Sequence, residues 1–174
     1  RGLGVDVDPA MVAVATKNGE GVSNVSFAVD DSSLSTLSNQ FDAIINRHCH
    51  LDIPAVTRHL KRGGYFITQQ VGERNMRNIK LVLGDSTDAP VITKQEVQNA
   101  GLKVISFCEY DVEYVVKDIE SLVFWFKALD MLHADINGAQ VLTEVDILNG
   151  ILKGNVDSRG FSTNEHRSLV IAQK

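Results

Sequence analysis

Apolar residues in the first half of the chain come in short runs that stop at acids or glycines. Gly2-Leu3-Gly4-Val5-Asp6-Val7 is one such run, and Asp8-Pro9 follows it as an N-cap with proline at the first helical position, so a strand passes into a helix. Met11, Val12 and Ala15 give that helix an apolar face, and Asn18-Gly19 ends it with residues that tolerate the left-handed conformation. Val25-Ser26-Phe27-Ala28-Val29 predicts a second strand that stops at Asp30-Asp31, and Phe41-Asp42-Ala43-Ile44-Ile45-Asn46 a third. A loop through His50, a helix over residues 53–60, a turn at Gly63-Gly64 and a fourth strand over 65–70 complete the series. Strands alternating with short helices predict an α/β fold with a doubly wound, mostly parallel sheet.

The second half changes character. The pattern predicts helices over 75–83 and 94–100, then a long strand over 102–116 with a bulge around Asp111. Helical periodicity returns over 119–132 and 140–152, and Ser168-Leu169-Val170-Ile171-Ala172 is a last strand, expected antiparallel at or near the sheet edge. The Arg58-His59-Leu60-Lys61-Arg62 run is expected at an exposed helix end, where cations favour the dipole.

Composition narrows the picture. With 174 residues, 44% of them hydrophobic, the chain is long enough for one sizeable core, and a single domain over 1–174 is expected, with 118–153 as a helical insertion able to lie over a substrate. Lys and Arg number 17 against 22 Asp and Glu, so the net charge of -5 gives no general attraction to nucleic acid or an anionic membrane. Cys49 and Cys108 form no CxxC and suggest neither a disulfide framework nor a zinc ribbon, which fits a cytoplasmic protein. No apolar run reaches the roughly 20 residues that cross a bilayer.

Four segments together carry a family resemblance: Gly4-Val5-Asp6-Val7-Asp8-Pro9-Ala10-Met11, Phe27-Ala28-Val29-Asp30-Asp31-Ser32, Phe41-Asp42-Ala43-Ile44-Ile45-Asn46-Arg47-His48, and Leu60-Lys61-Arg62-Gly63-Gly64-Tyr65-Phe66-Ile67. In order and spacing they resemble the successive motifs of class I S-adenosylmethionine-dependent methyltransferases, starting at what looks like the family's second strand. The stretch from Asn46 through Gly72, and Glu165-His166-Arg167 before the last strand, are similar to an uncharacterised bacterial subgroup. The resemblance implies a Rossmann-like fold, S-adenosylmethionine as cofactor, and methyl transfer to an acceptor for which a small molecule is a better expectation than nucleic acid. It also implies that the family's first strand and its glycine-rich turn would precede Arg1, so that the chain is N-terminally incomplete. Without that central strand the sheet should split and leave two unpaired edges, with room for a homodimer.

The resemblance assigns roles residue by residue. Asp6, ending its strand, would accept hydrogen bonds from the ribose hydroxyls, with Val7 against the adenine face, while Asp8 caps the helix. Asp31 matches the acid that meets the adenine amino group by strand count and Asp30 by loop length; Asp31 is preferred, with Ser32 beside it. Asn46, Arg47 and His48 would face the methionine end and the incoming nucleophile. His48 is the first candidate for a general base, Arg47 for a substrate anion, and His166 with Arg167 for the same mouth, with Trp125 and Phe126 on the insertion.

Other readings are weaker on the residues. His48-Cys49-His50 lacks a fourth metal ligand at a recognisable spacing, so no metal is expected. Asp6-x-Asp8 with Gly84-Asp85-Ser86-Thr87-Asp88 looks somewhat like a haloacid dehalogenase-like phosphatase, but Pro9-Ala10 replaces the expected residues and 78–83 has a helical pattern. A non-catalytic module that keeps the sheet for binding or dimerisation is the alternative from another class.

Overall fold

The structure is a computed structural model that describes residues 1–31, 33–34, 37, 40–84, 91–129 and 143–174. The elements run β1 (Gly2–Asp6), α1 (Pro9–Asn18), β2 (Val25–Val29), β3 (Phe41–Arg47), α2 (Ile53–His59), β4 (Leu60–Val71), α3 (Arg77–Leu83), α4 (Lys94–Asn99), β5 (Lys103–Val116), α5 (Ile119–Ala128), α6 (Glu144–Leu152), β6 (Val156–Asp157) and β7 (Gly160–Gln173). This is a mixed α/β chain.

The strands form two sheets, β1-β2 and β3-β4-β7-β5, with β6 paired to β7. β1 runs parallel to β2 with Gly2 opposite Val25 and Asp6 opposite Val29, and β3 runs parallel to β4. The terminal strand is antiparallel: the Gly63 N–H donates to Lys174 O and the Gly72 N–H to His166 O, so β7 descends as β4 rises. It lies one strand in from the β5 edge, as its late arrival predicts. Among the described residues no strand pairs with the free edges of β1 and β3, the split that the resemblance implies.

Two compact units emerge from the packing. The first comprises Arg1–Gln69, Thr93–Phe107 and Val170–Lys174. Within it, α1 starts where expected: the Asp8 side chain accepts from the Ala10 N–H at 2.8 Å, and Pro9 stands at the first helical position. The Phe27 ring lies over Gly4 and Gly19, at both of which a Cβ would come within 2.9 Å of it. Met11 is 55% exposed, so the face that α1 turns inward is Val12 and Ala15. The main burial in this unit lies on Ala55, Leu60, Phe66, Val97, Val170 and Ala172.

The second unit comprises Gln70–Ile92 and Cys108–Leu169. Its core joins Ile79 and Leu83 of α3, Leu122 and Phe126 of α5, Ile147 and Ile151 of α6, and Phe161 of β7. Phe126 is fully buried and meets Phe161 edge to face at 6.4 Å, an arrangement that suits two aromatic quadrupoles. The Thr143 and Asp146 side chains cap α6 reciprocally, as Thr93 and Glu96 cap α4.

Three expectations need correction. Gly63-Gly64 does not start the fourth strand; β4 already begins at Leu60, and the glycines sit at an irregularity where Phe41 pairs with Leu60 but Ala43 with Tyr65. Gly63 has φ 81, which a bulge needs and a side chain resists. The basic run therefore passes from α2 into β4, where Lys61 meets Asp42 at 2.8 Å. The last strand begins at Gly160, eight residues before the apolar stretch that signals it, after a hairpin with β6. Parts of two predicted helices, over 130–132 and 140–142, and the Asp85-Ser86-Thr87-Asp88 motif lie outside the described residues; 78–83 falls within α3, as its pattern predicts.

Candidate functional site

In parallel α/β sheets ligands gather at the carboxyl ends of strands, because helix N-termini and loop amides open there. Asp6 ends β1 and is exposed. Its Oδ1 accepts the Asp8 N–H at 2.9 Å, which fixes the carboxylate at the strand end, while Oδ2 has no partner among the described residues. Asp8 turns the other way and caps α1. Val7, between them, is 68% exposed, an apolar surface held open beside a free carboxylate oxygen.

At the end of β2 the Asp30 N–H donates to Asp6 O at 3.1 Å, so the two strand ends stay paired one residue beyond β2. Asp30 is buried and its Oδ1 accepts the Asp31 N–H at 2.8 Å. Asp31 is exposed, and its Oδ1 accepts both the backbone N–H and the hydroxyl of Ser33, ordinary Asx-turn chemistry. Ser32 lies outside the described residues.

The loop leaving β3 is shaped by its own side chains. Asn46 donates from Nδ2 to His50 O at 3.1 Å, which draws residues 46–50 into a ring, and Arg47 Nε donates to Gln69 Oε1 on β4 at 3.0 Å. His48 takes the left-handed conformation, with φ 53, while its N–H donates to Gln69 O at 3.1 Å. A histidine resists that conformation, and such strain at a strand end is the kind of outlier found at functional sites.

His166 lies in the second unit and is 1% exposed. Its Nδ1 accepts the Arg74 N–H at 3.1 Å, and its Nε2 stands 3.0 Å from Arg74 Nη2, so Arg74 meets both nitrogens of the ring. Arg74 reaches Asp111 at 3.2 Å, and Asn164 donates to the same carboxylate at 2.7 Å. The Asn164 bond, followed by Arg74, holds the Asp111 carboxyl below its usual range against the opposing effect of burial. Arg167 is buried: Nη1 donates to Asn75 Oδ1 and His166 O, and Nη2 pairs with Glu165 at 2.9 Å.

Asp6, Val7, Asp31, Asn46, Arg47 and His48 thus share the first unit, and His166 belongs to a polar cluster of the second. The sequence reading missed the partners Arg74, Asn75, Asp111 and Asn164. The available signal was the polar run Glu73-Arg74-Asn75, one residue beyond β4, at the end of a strand where ligands bind. Among the described residues no three or more His, Cys, Asp or Glu side chains cluster as a metal site. No helix described is long and apolar enough to cross a membrane.

No family model matches the chain, and no curated protein matches it in sequence. Solved structures match its fold. A protein of Bacillus halodurans assigned as a methyltransferase aligns over 100% of this chain and 83% of its own, at 16% identity and TM-score 0.61. The [4+2]-cyclase SpnF aligns over 99% and 65%, at 17% identity and TM-score 0.56. Phosphoethanolamine N-methyltransferase 2 of Haemonchus contortus, solved with S-adenosyl-L-methionine, aligns over 99% and 43%, at 16% identity and TM-score 0.52. The chain has the Rossmann-like fold of class I S-adenosylmethionine-dependent methyltransferases, and the cyclase shows that this fold alone does not fix a reaction.

Proposed function

On the strength of that fold, we propose that the chain binds S-adenosylmethionine and transfers its methyl group to a small-molecule acceptor. The observation that carries the proposal is the Asp6 carboxylate, pinned through one oxygen to Asp8 and open at the other, at the carboxyl end of a parallel β-α-β unit. That is the chemistry a ribose needs: a fixed anionic acceptor for its hydroxyls. Val7 supplies an exposed apolar face for adenine, and Asp31 or the buried Asp30 an acceptor for its amino group.

The cofactor, when bound, supplies a sulfonium that gives up a methyl group readily, so the chain's part is to align the partners and keep water away. Asn46 would hold the loop after β3 in place, and Arg47 would offer a guanidinium to an anionic group on the acceptor. His48 would take a proton from the nucleophile where one must leave. His166 would set Arg74 and the turn at Gly72 rather than meet the acceptor itself. The site and the reaction are expected to work in the cytoplasm.

Ultraviolet cross-linking with methyl-labelled S-adenosylmethionine tests the reading. The native chain should take up label that excess S-adenosylhomocysteine suppresses, and Asp6→Ala should take up much less; equal labelling of both would reject the assignment.

A further inference from the structure

The second unit holds a small cavity of about 180 Å³ lined by Asn75, Met76, Tyr114, Trp125, Glu165 and Arg167 among others. We propose that it binds a small, neutral, planar ligand carrying an amide-type pair of hydrogen-bonding groups, an acceptor beside a donor. The inference goes beyond the methyl-transfer reading and does not rest on it.

Asn75 carries the argument. It is 5% exposed, and its Oδ1 accepts both the His166 N–H at 3.1 Å and Arg167 Nη1. Two donors on that oxygen fix the orientation of the amide, so the NH₂ is the end left over. That nitrogen has no partner among the described residues, although the side chain is almost wholly buried against the cavity it lines. An amide donor held in place and open to the cavity is ready to meet an acceptor that fits there.

The other walls restrict what that acceptor belongs to. Tyr114 and Trp125 set their rings 5.5 Å apart at 52°, a tilted apolar wall against which a flat group stacks. Glu165 spends one oxygen on Arg167 at 2.9 Å and has none of its other contacts among the described residues, so its second oxygen can receive an N–H from the ligand. Glu165 and Arg167 cancel in charge, so an anion meets the Glu165 carboxylate, while a neutral acceptor also suits Arg167, whose buried Nε has no partner among the described residues. The floor is well anchored: Asn164 Oδ1 accepts the Arg77 N–H at 2.9 Å and caps α3, a task that Met76, left-handed at φ 51, leaves undone. The volume suits one ring with one substituent.

Trp125 is the chain's sole tryptophan, so its indole N–H gives a single nitrogen–proton correlation that reports on this wall. Benzamide titrated into the native chain, with no cofactor present, should shift that signal saturably in the millimolar range. Benzoate, of the same shape but charged, should bind about tenfold more weakly or worse. Asn75→Asp keeps an oxygen for His166 and Arg167 but turns the donor into an acceptor; with an otherwise native-like spectrum it should also lose about tenfold for benzamide. No shift with benzamide would overturn the pocket, benzoate binding as well as benzamide would overturn the ligand class, and unchanged binding by Asn75→Asp would overturn the role of the amide. Failure of the methyltransferase reading would leave all three results as they are.

Discussion

Gly72 and His166 are packed against one another: the Gly72 N–H donates to His166 O at 2.9 Å, and a Cβ built on Gly72 would clash with the His166 imidazole. The glycine therefore sets where β4 ends, where the histidine ring lies, and how Arg74 is placed against both ring nitrogens.

A methyl group at position 72 must displace that ring. Gly72→Ala should cost about 1–3 kcal/mol, the usual range for overpacking in a tight core. Urea unfolding of the variant reads this directly. Loss of stability within about 0.5 kcal/mol would mean that the ring moves aside without strain.

The Arg159 cluster predicts a response to acid. Arg159 meets Glu113 at 2.7 Å and Asp157 at 2.8 Å, and these bonds hold both carboxyls below their ordinary values of 4.5 and 3.8. A carboxyl depressed in the folded chain stabilises it above its ordinary value, and that contribution is lost as the pH falls through the folded value. Arg159→Gln should therefore lower the melting temperature at pH 7 and converge on the native chain as the pH falls below the folded values of both carboxyls. All three side chains are about half exposed, so 1 M salt should shrink the difference at pH 7. A gap that persists in acid would show that Arg159 acts by packing instead.

His48 offers two separable readings. Its left-handed backbone costs a non-glycine residue roughly 1 kcal/mol, so His48→Gly should be more stable than His48→Ala by about that amount. Both should lower turnover of an identified acceptor more than they lower cofactor affinity. Turnover equal to that of the native chain would remove His48 from the reaction.

How much of this could be read from residues alone depends on whether the signal was local. Asp8-Pro9 named the start of α1, and the apolar run from Val25 to Val29 bounded β2 as it stands in the fold, because caps and apolar runs act within a few residues. The first half of β7 was hidden. Ser162, Thr163, Asn164, Glu165, His166 and Arg167 have no apolar alternation, and they pair as a strand because distant residues take their hydrogen bonds: Asn78 receives the Thr163 hydroxyl, Asp111 the Asn164 amide, and Asn75 the His166 N–H. The strand-end acid Asp6 was legible for the same local reason as the cap. Asn75 was not, since its importance comes from a cavity closed by residues 39 to 92 positions away.

Calorimetric titration of S-adenosylhomocysteine into this chain and its Asp6→Ala variant is the most direct test of the central claim. The account predicts one binding site on the native chain and a loss of about 1.5–3 kcal/mol in the variant, the range for hydrogen bonds to a charged group. No binding by the folded native chain, or equal binding by the two, would contradict it.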